Sequence, residues 1–220
     1  MTAVSAPDAD AYDAENLPAA VRAPHDLALT ALTQPDPGPL AAVAWCSAHL
    51  VAVHRVLYTA ARRQLPDGRR CVRAQRVVDH RLQQALCRLD RRLTGDTHLS
   101  GVPVEELVDE VRARLHGHAE AEGDMVGELM TALGQEQQEQ LGTRLAKAMR
   151  CAPTRPHPHT RHMPLAGLVG RLDACVDRAR DSLDSRVVPT PRRSRAAREP
   201  GRWGCYLMGT PYPTVKKPRS

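Results

Sequence analysis

The sequence contains no phenylalanine, and aromatic residues of all kinds make up only 3% of it. A hydrophobic core therefore has to be built from Leu, Val, Ala and Met side chains, which suit packed helices better than a β-sandwich. The hydrophobic fraction of 42% and the charged fraction of 25% are typical of a globular protein. The composition predicts an all-α fold, and 220 residues suffice for one ordinary domain with tails.

Several functional motifs are also missing. None of the six cysteines stands in a C-x-x-C pair, and the cysteines show no zinc-ligand spacing. The sequence has no Gly-x-Ser-x-Gly motif, no P-loop and no Gly-x-Gly-x-x-Gly motif. We therefore predict a binding protein and not an enzyme. We see no stretch of about 18 apolar residues and no signal peptide, so we expect a cytoplasmic protein with reduced thiols.

Positive charge is concentrated at the C-terminus. The segment 186–220 carries nine Arg or Lys residues and one Glu. Its net charge of +8 exceeds the +6 of the whole chain, so the rest of the chain is slightly acidic. We interpret residues 187–220 as a basic disordered tail. Basic residues next to Trp203 and Tyr206 can attract nucleic acid through charge and stacking. A solvated tail explains the same composition, so nucleic acid is not a predicted partner.

Apolar periodicity and turn residues predict five helices. These cover residues 40–65, 70–93, 103–133, 136–149 and 165–183. Residues 1–38 are rich in Ala, Asp and Pro, which indicates a mostly irregular segment with one short helix near "HDLALTAL". Because short loops make consecutive helices antiparallel, we expect an up-down antiparallel helical bundle over residues 39–186.

The helix predicted over 103–133 has two polar residues in its apolar stripe, His118 and Glu122. His116 lies on roughly the opposite side of this helix. A buried imidazole and a buried carboxylate one turn apart cost free energy unless something satisfies them. Two interpretations remain open. The pair bonds to itself or to a polar group across the bundle, or both side chains ligate a metal ion in the core.

Other helices offer further candidate ligands. His49 and His54 flank the apolar side of the helix predicted over 40–65. Asp79 lies at the edge of the apolar stripe of the next helix, whereas His80 lies nearly opposite that stripe. We therefore include His49, His54 and Asp79 with His118 and Glu122 as candidate metal ligands, and we prefer Asp79 to His80.

Three segments carry a resemblance to a known family. They are "SAHLVAVHRVLYTAARRQLPDG", "HAEAEGDMVGEL" and "LGTRLAKAMRCAPTRPHPH". Over roughly residues 40–160 the chain resembles bacterial hemerythrin-like proteins with an HHE (His-His-Glu) cation-binding domain. The resemblance implies a four-helix bundle with a non-haem di-iron site. In that site two helices each give one His, and the other two each give a His-x-x-x-Glu motif.

The chain departs from this pattern in several places. His118 and Glu122 match one His-x-x-x-Glu motif, but Val53 stands where the Glu partner of His49 should be, with His54 next to it. Asp79 or His80 lies near one of the lone histidines of the family.

No residue convincingly matches the other lone histidine of the family, although His25 is the only His in that region. With these departures, the resemblance implies one bound iron ion or none, and no reversible oxygen binding. The alternative is a bundle with a vestigial site that acts as a structural or regulatory interaction protein.

Overall fold

The fold is a bundle of α-helices. The computed structural model describes residues 16–35, 38–95, 98 and 101–154. These residues form six helices and no strand, which confirms the predicted all-α class. The helices are α1 (Leu17–Thr33), α2 (Gly38–Arg55), α3 (Leu57–Gln64), α4 (Gly68–Leu93), α5 (Val104–Ala132) and α6 (Gln135–Arg150).

Helix α1 is the largest departure from the sequence prediction, which expected mostly irregular chain up to residue 38. The side chain of Asn16 caps the helix by accepting the N–H of Ala19 at 3.0 Å. Pro24 lies inside the helix, where proline costs about 3 kcal/mol. The helix persists because one face is buried, including Leu17, Val21 and Ala28. The bundle therefore includes Leu17–Thr33, which precede the predicted boundary at residue 39.

Helix α2 forms the centre of the bundle. Every residue from Ala41 to Leu50 is buried, because α1, α4 and α6 all pack against this helix. The predicted helix over 40–65 is interrupted only at Val56. Its N–H still donates to the oxygen of Ala52 at 2.9 Å, and its own oxygen accepts from Ala60 at 3.1 Å.

This central position also bears on the expectation that nothing crosses a membrane. The segment Gly38–Gln64 is in fact long and apolar enough to do so by length and composition. However, 78% of its most apolar window is buried inside the bundle. A core helix that is hydrophobic all round has the same properties.

The remaining helix boundaries agree closely with the sequence prediction. Helix α4 ends before Gly95, whose φ of +91° suits the turn that follows. Helix α5 follows Pro103 and has Glu105 and Glu106 in its first turn, where carboxylates favour the helix dipole. The predicted helix over 165–183, the boundary at residue 186 and the basic tail lie outside the described residues.

Candidate metal centre

Four buried side chains from three helices meet in the core. His25 comes from α1, His49 from α2, and His118 and Glu122 from one turn of α5. Their exposed fractions are 5%, 1%, 0% and 0%, respectively. One potential ligand atom from each side chain lies within 4.8 Å of the other three. We call these four residues the His₃Glu cluster, and they could hold a metal ion.

Glu122 Oε2 is the hub of this cluster. It lies 2.9 Å from His49 Nε2, 3.2 Å from His25 Nε2 and 3.5 Å from His118 Nε2. The two Nε2 atoms of His25 and His49 are 2.9 Å apart. The three rings meet edge to face, with interplanar angles between 78° and 90°. Each imidazole therefore presents its Nε2 edge to one common point.

The spacing of these atoms matches the size of a tetrahedral metal site. Nitrogen and oxygen ligands bind zinc at roughly 2.0–2.1 Å, which puts tetrahedral ligand atoms about 3.3 Å apart. Four of the six separations among these ligand atoms run from 2.9 to 3.5 Å and so lie on both sides of that value. The other two lie within 4.8 Å, so binding of an ion of this size would draw His118 closer to His25 and His49.

Three buried atoms of the cluster lack hydrogen-bond partners: His49 Nδ1, His118 Nε2 and Glu122 Oε1. Of these, His118 Nε2 lies 3.5 Å from Glu122 Oε2 and remains in ionic contact with it. Leaving a buried polar atom unsatisfied costs about 1–3 kcal/mol. A cation at the centre of the cluster would satisfy His118 Nε2, which lies among the other ligand atoms.

Asp79 and His54 lie beside the His₃Glu cluster and not in it, although the sequence predicted both as ligands. Asp79 is fully buried, and its Oδ1 lies 3.0 Å from His118 Nδ1. Its Oδ2 accepts hydrogen bonds from His54 Nε2 and from the Tyr58 hydroxyl, each at 2.6 Å. Both oxygens of Asp79 are therefore occupied. A carboxylate in this position orients a ligating histidine.

The contact with Asp79 selects one tautomer of His118. Because a carboxylate can only accept, Nδ1 donates to Asp79, and a neutral His118 presents the lone pair of Nε2 to the cluster. Gln75 Nε2 also lies 3.2 Å from Nδ1, and this contact is not a hydrogen bond in that tautomer. Gln75 supports the same turn of α5 by donating to the backbone oxygen of His118 at 3.4 Å. In the neutral ring the Nε2 lone pair faces the carboxylate of Glu122 at 3.5 Å, which is unfavourable. A metal ion bound to Nε2, or a second proton that makes the ring a cation, would relieve this contact.

The pKa values of the cluster reflect this arrangement. Burial alone would lower the pKa of His118, but the charge of Glu122 and the hydrogen bond to Asp79 raise it to about 10. Burial would raise the pKa of Glu122, but His49 and His118 hold it well below its usual value. At neutral pH the metal-free cluster therefore contains a protonated His118 beside an ionised Glu122, and the proton stands where a metal cation would.

The pKa values of His25 and Asp79 are also displaced. Burial, reinforced by His49, lowers the pKa of His25 to about 4, so this ring is neutral and able to bind a metal. Burial opposes ionisation of Asp79, yet hydrogen bonds from His118 and His54 hold its pKa well below the usual range. Asp79 is therefore an anion that favours a positive charge on or near His118.

Two further histidines lie where the sequence indicated. His116 is exposed on α5, and His80 is exposed on α4, where it bonds to Gln84 at 3.0 Å. The sequence prediction missed His25 as a member of the cluster. The signal was present, since His25 follows Leu17 and Val21 at helical spacing, but Pro18 and Pro24 indicated irregular chain.

Comparisons with known proteins identify no relative. The chain matches no protein-family model, no curated protein and no solved structure.

Proposed function

We propose that the protein is a hemerythrin-like bundle that binds one divalent transition-metal ion through His25, His49, His118 and Glu122. The observation that supports this proposal most strongly is a buried, converging set of donors in which His118 Nε2 has no hydrogen-bond partner. Imidazole and carboxylate ligands suit iron, zinc and neighbouring first-row ions. The choice of non-haem iron rests on the resemblance in residues 40–160. We propose a role in binding and not in catalysis.

The donor set supports a single ion. A second ion next to the first would need additional carboxylates, and Val53 is a buried aliphatic residue one turn beyond His49. Asp79 is the nearest other acid, but three hydrogen-bond partners already occupy its oxygens. The site proposed here is therefore a reduced version of the di-iron site that the resemblance implies.

A metal ion that bound in this site would replace the proton that His118 carries in the metal-free cluster. His118 loses its proton, and its Nε2, held by the Nδ1 bond to Asp79, becomes a ligand. Glu122 supplies one negative charge, and its unpaired Oε1 is available as a second ligand atom. When bound, the metal supplies a positive centre that holds α1, α2 and α5 together.

The direct test is metal content. The full chain, prepared without a histidine tag, is loaded anaerobically with ferrous ion and in parallel with zinc, and bound metal is measured by mass spectrometry. We expect about one equivalent. His118→Ala should abolish binding. His116→Ala, an exposed histidine two residues away on the same helix, should retain it. Less than a tenth of an equivalent, unchanged by His118→Ala, would overturn the proposal.

A second candidate function is a structural or regulatory bundle with a vestigial site. The observation that favours it is the set of short contacts from Glu122 to His25 and His49, which join three helices without any ion. Under this alternative, added metal would leave the melting temperature unchanged.

A further inference from the structure

A strongly basic depression lies at the corner between α3 and α4, away from the His₃Glu cluster. Two adjoining concave surfaces, of about 280 and 440 Å³, share Arg62, Arg69 and Arg73. The smaller one also includes Arg76, and the larger one includes Arg70. We call this feature the arginine cleft. Asp67 is the only acidic residue in its lining.

A glycine makes the close approach of the two helices at this corner possible. A Cβ atom on Gly68 would lie 1.9 Å from the backbone oxygen of Ala61 and 3.0 Å from Cα of Arg62. Any other residue would push the start of α4 away from α3. The tight turn therefore brings Arg62 on α3 next to the first residues of α4.

The arginines of the cleft are not balanced by nearby acids. Arg69, Arg73 and Arg76 follow one another at spacings of four and three, so they share one helix face, where like charges repel. In the part of the chain that the structure describes, none of the three forms an ion pair. Further along the same helix, Arg88 pairs with Glu110 at 2.6 Å. The face of α4 that lines the cleft therefore carries three positive charges without acidic partners.

Arg62 is held in a defined orientation. Its Nε donates to the backbone oxygen of Tyr58 at 3.1 Å. The two terminal nitrogens of the guanidinium group remain for an acceptor in the cleft. A side chain that is already ordered loses less entropy when it binds a ligand.

We propose that the arginine cleft binds a small anion that carries two or more phosphate groups. A planar guanidinium group can form bidentate hydrogen bonds with two oxygens of a phosphate group. Several arginines together favour a ligand that carries more than one negative charge. Surfaces for single-stranded nucleic acid combine basic residues with aromatic stacking platforms, and no aromatic side chain lines this cleft.

The test compares two single substitutions in α4 that remove the same charge. Inorganic pyrophosphate is titrated calorimetrically into the full chain, into Arg73→Gln and into Arg88→Gln, at physiological ionic strength. We expect saturable binding to the wild type, at least tenfold weaker binding to Arg73→Gln and less than a twofold change for Arg88→Gln. Circular dichroism and melting temperature verify that both variants fold.

Three outcomes would overturn the proposal. The first is the absence of saturable pyrophosphate binding by the wild type. The second is equal behaviour of the two variants, which would indicate general attraction to a basic chain or chelation of bound metal by pyrophosphate. The third is binding of a short oligonucleotide that is tighter than pyrophosphate and lost in Arg73→Gln, which would make the cleft a nucleic-acid surface.

Discussion

His118 has its two ring nitrogens directed at two different carboxylates. Nδ1 bonds to Asp79 at 3.0 Å, and Nε2 lies 3.5 Å from Glu122 without a hydrogen bond. The first contact fixes which nitrogen carries a proton, and the second leaves the other nitrogen available to a cation. The charge state of this one ring therefore decides whether the His₃Glu cluster holds a proton or a metal ion.

Replacing Asp79 by Asn should weaken metal binding about 10–100-fold, because outer partners of ligating histidines have effects of this size. Asn can still accept a hydrogen bond from His118, but it lacks the negative charge that stabilises the ligand. Affinity is measured by competition with a chromogenic chelator. Asp124→Asn, an exposed substitution on α5, serves as the matched control. Equal affinities for the two variants would contradict a positioning role for Asp79.

Metal affinity should rise with pH. The pKa of His118 is raised to about 10, so between pH 7.5 and 8.5 the metal-free ring carries a proton that the ion has to displace. His25, whose pKa is lowered to about 4, is already neutral in this range and adds no proton. We expect affinity to increase about tenfold per pH unit, with release of about one proton per ion. Calorimetry in buffers of different ionisation enthalpy measures the proton, and affinity independent of pH would refute the account.

At the scale of elements, α1 shows how tertiary packing overrides local preference. Pro24 lies within the helix, and residues 1–38 lack the composition of a strong helix. The helix forms because Asn16 caps it and because Leu17, Ala28 and Leu32 are buried against the bundle. That burial is also what places His25 in the His₃Glu cluster.

Loss of the α1 cap should therefore destabilise the protein without changing the donor set. Asn16→Ala removes the acceptor for the N–H of Ala19 and should lower the free energy of unfolding by about 1 kcal/mol. Asn16→Asp keeps an acceptor and should stay within a few tenths of a kcal/mol of the wild type. Denaturant titration measures both variants. If Asn16→Ala unfolds at the same denaturant concentration as the wild type, the cap does not stabilise α1.

At the scale of the whole molecule, the His₃Glu cluster connects parts of the chain that are far apart in sequence. His25 and His49 are 24 residues apart, and His49 and Glu122 are 73 residues apart. An ion bound to all four side chains would hold α1 and α5 against the central helix α2. Metal binding and global stability are therefore thermodynamically linked.

Saturating metal should raise the melting temperature of the wild type. At a free concentration about 100 times the dissociation constant, the native state gains about 2.7 kcal/mol. For a domain of this size that gain corresponds to roughly 5–10 °C. Scanning calorimetry with and without zinc measures the shift, which His116→Ala should keep and His118→Ala should lose. If the wild type has the same melting temperature with and without metal, the vestigial-site alternative is favoured.

The amino-acid sequence alone predicts the local features of this protein. Helical periodicity predicts the bounds of α4, α5 and α6 to within about two residues, and it predicts the burial of His118 and Glu122, because a stripe repeats within a single element. The exposed positions of His80 and His116 follow from the same periodicity.

Only the tertiary structure decides which polar groups meet. Asp79 is a reasonable ligand from its position on α4, yet contacts with His54 and Tyr58 on neighbouring helices make it a partner of His118 instead. His25 becomes a member of the cluster because α1 packs against α2 and α5, and no local pattern around Pro24 predicts that packing. The physical reason is that helical period determines which face of a helix is buried, whereas the distances between side chains on different helices depend on how the whole bundle packs.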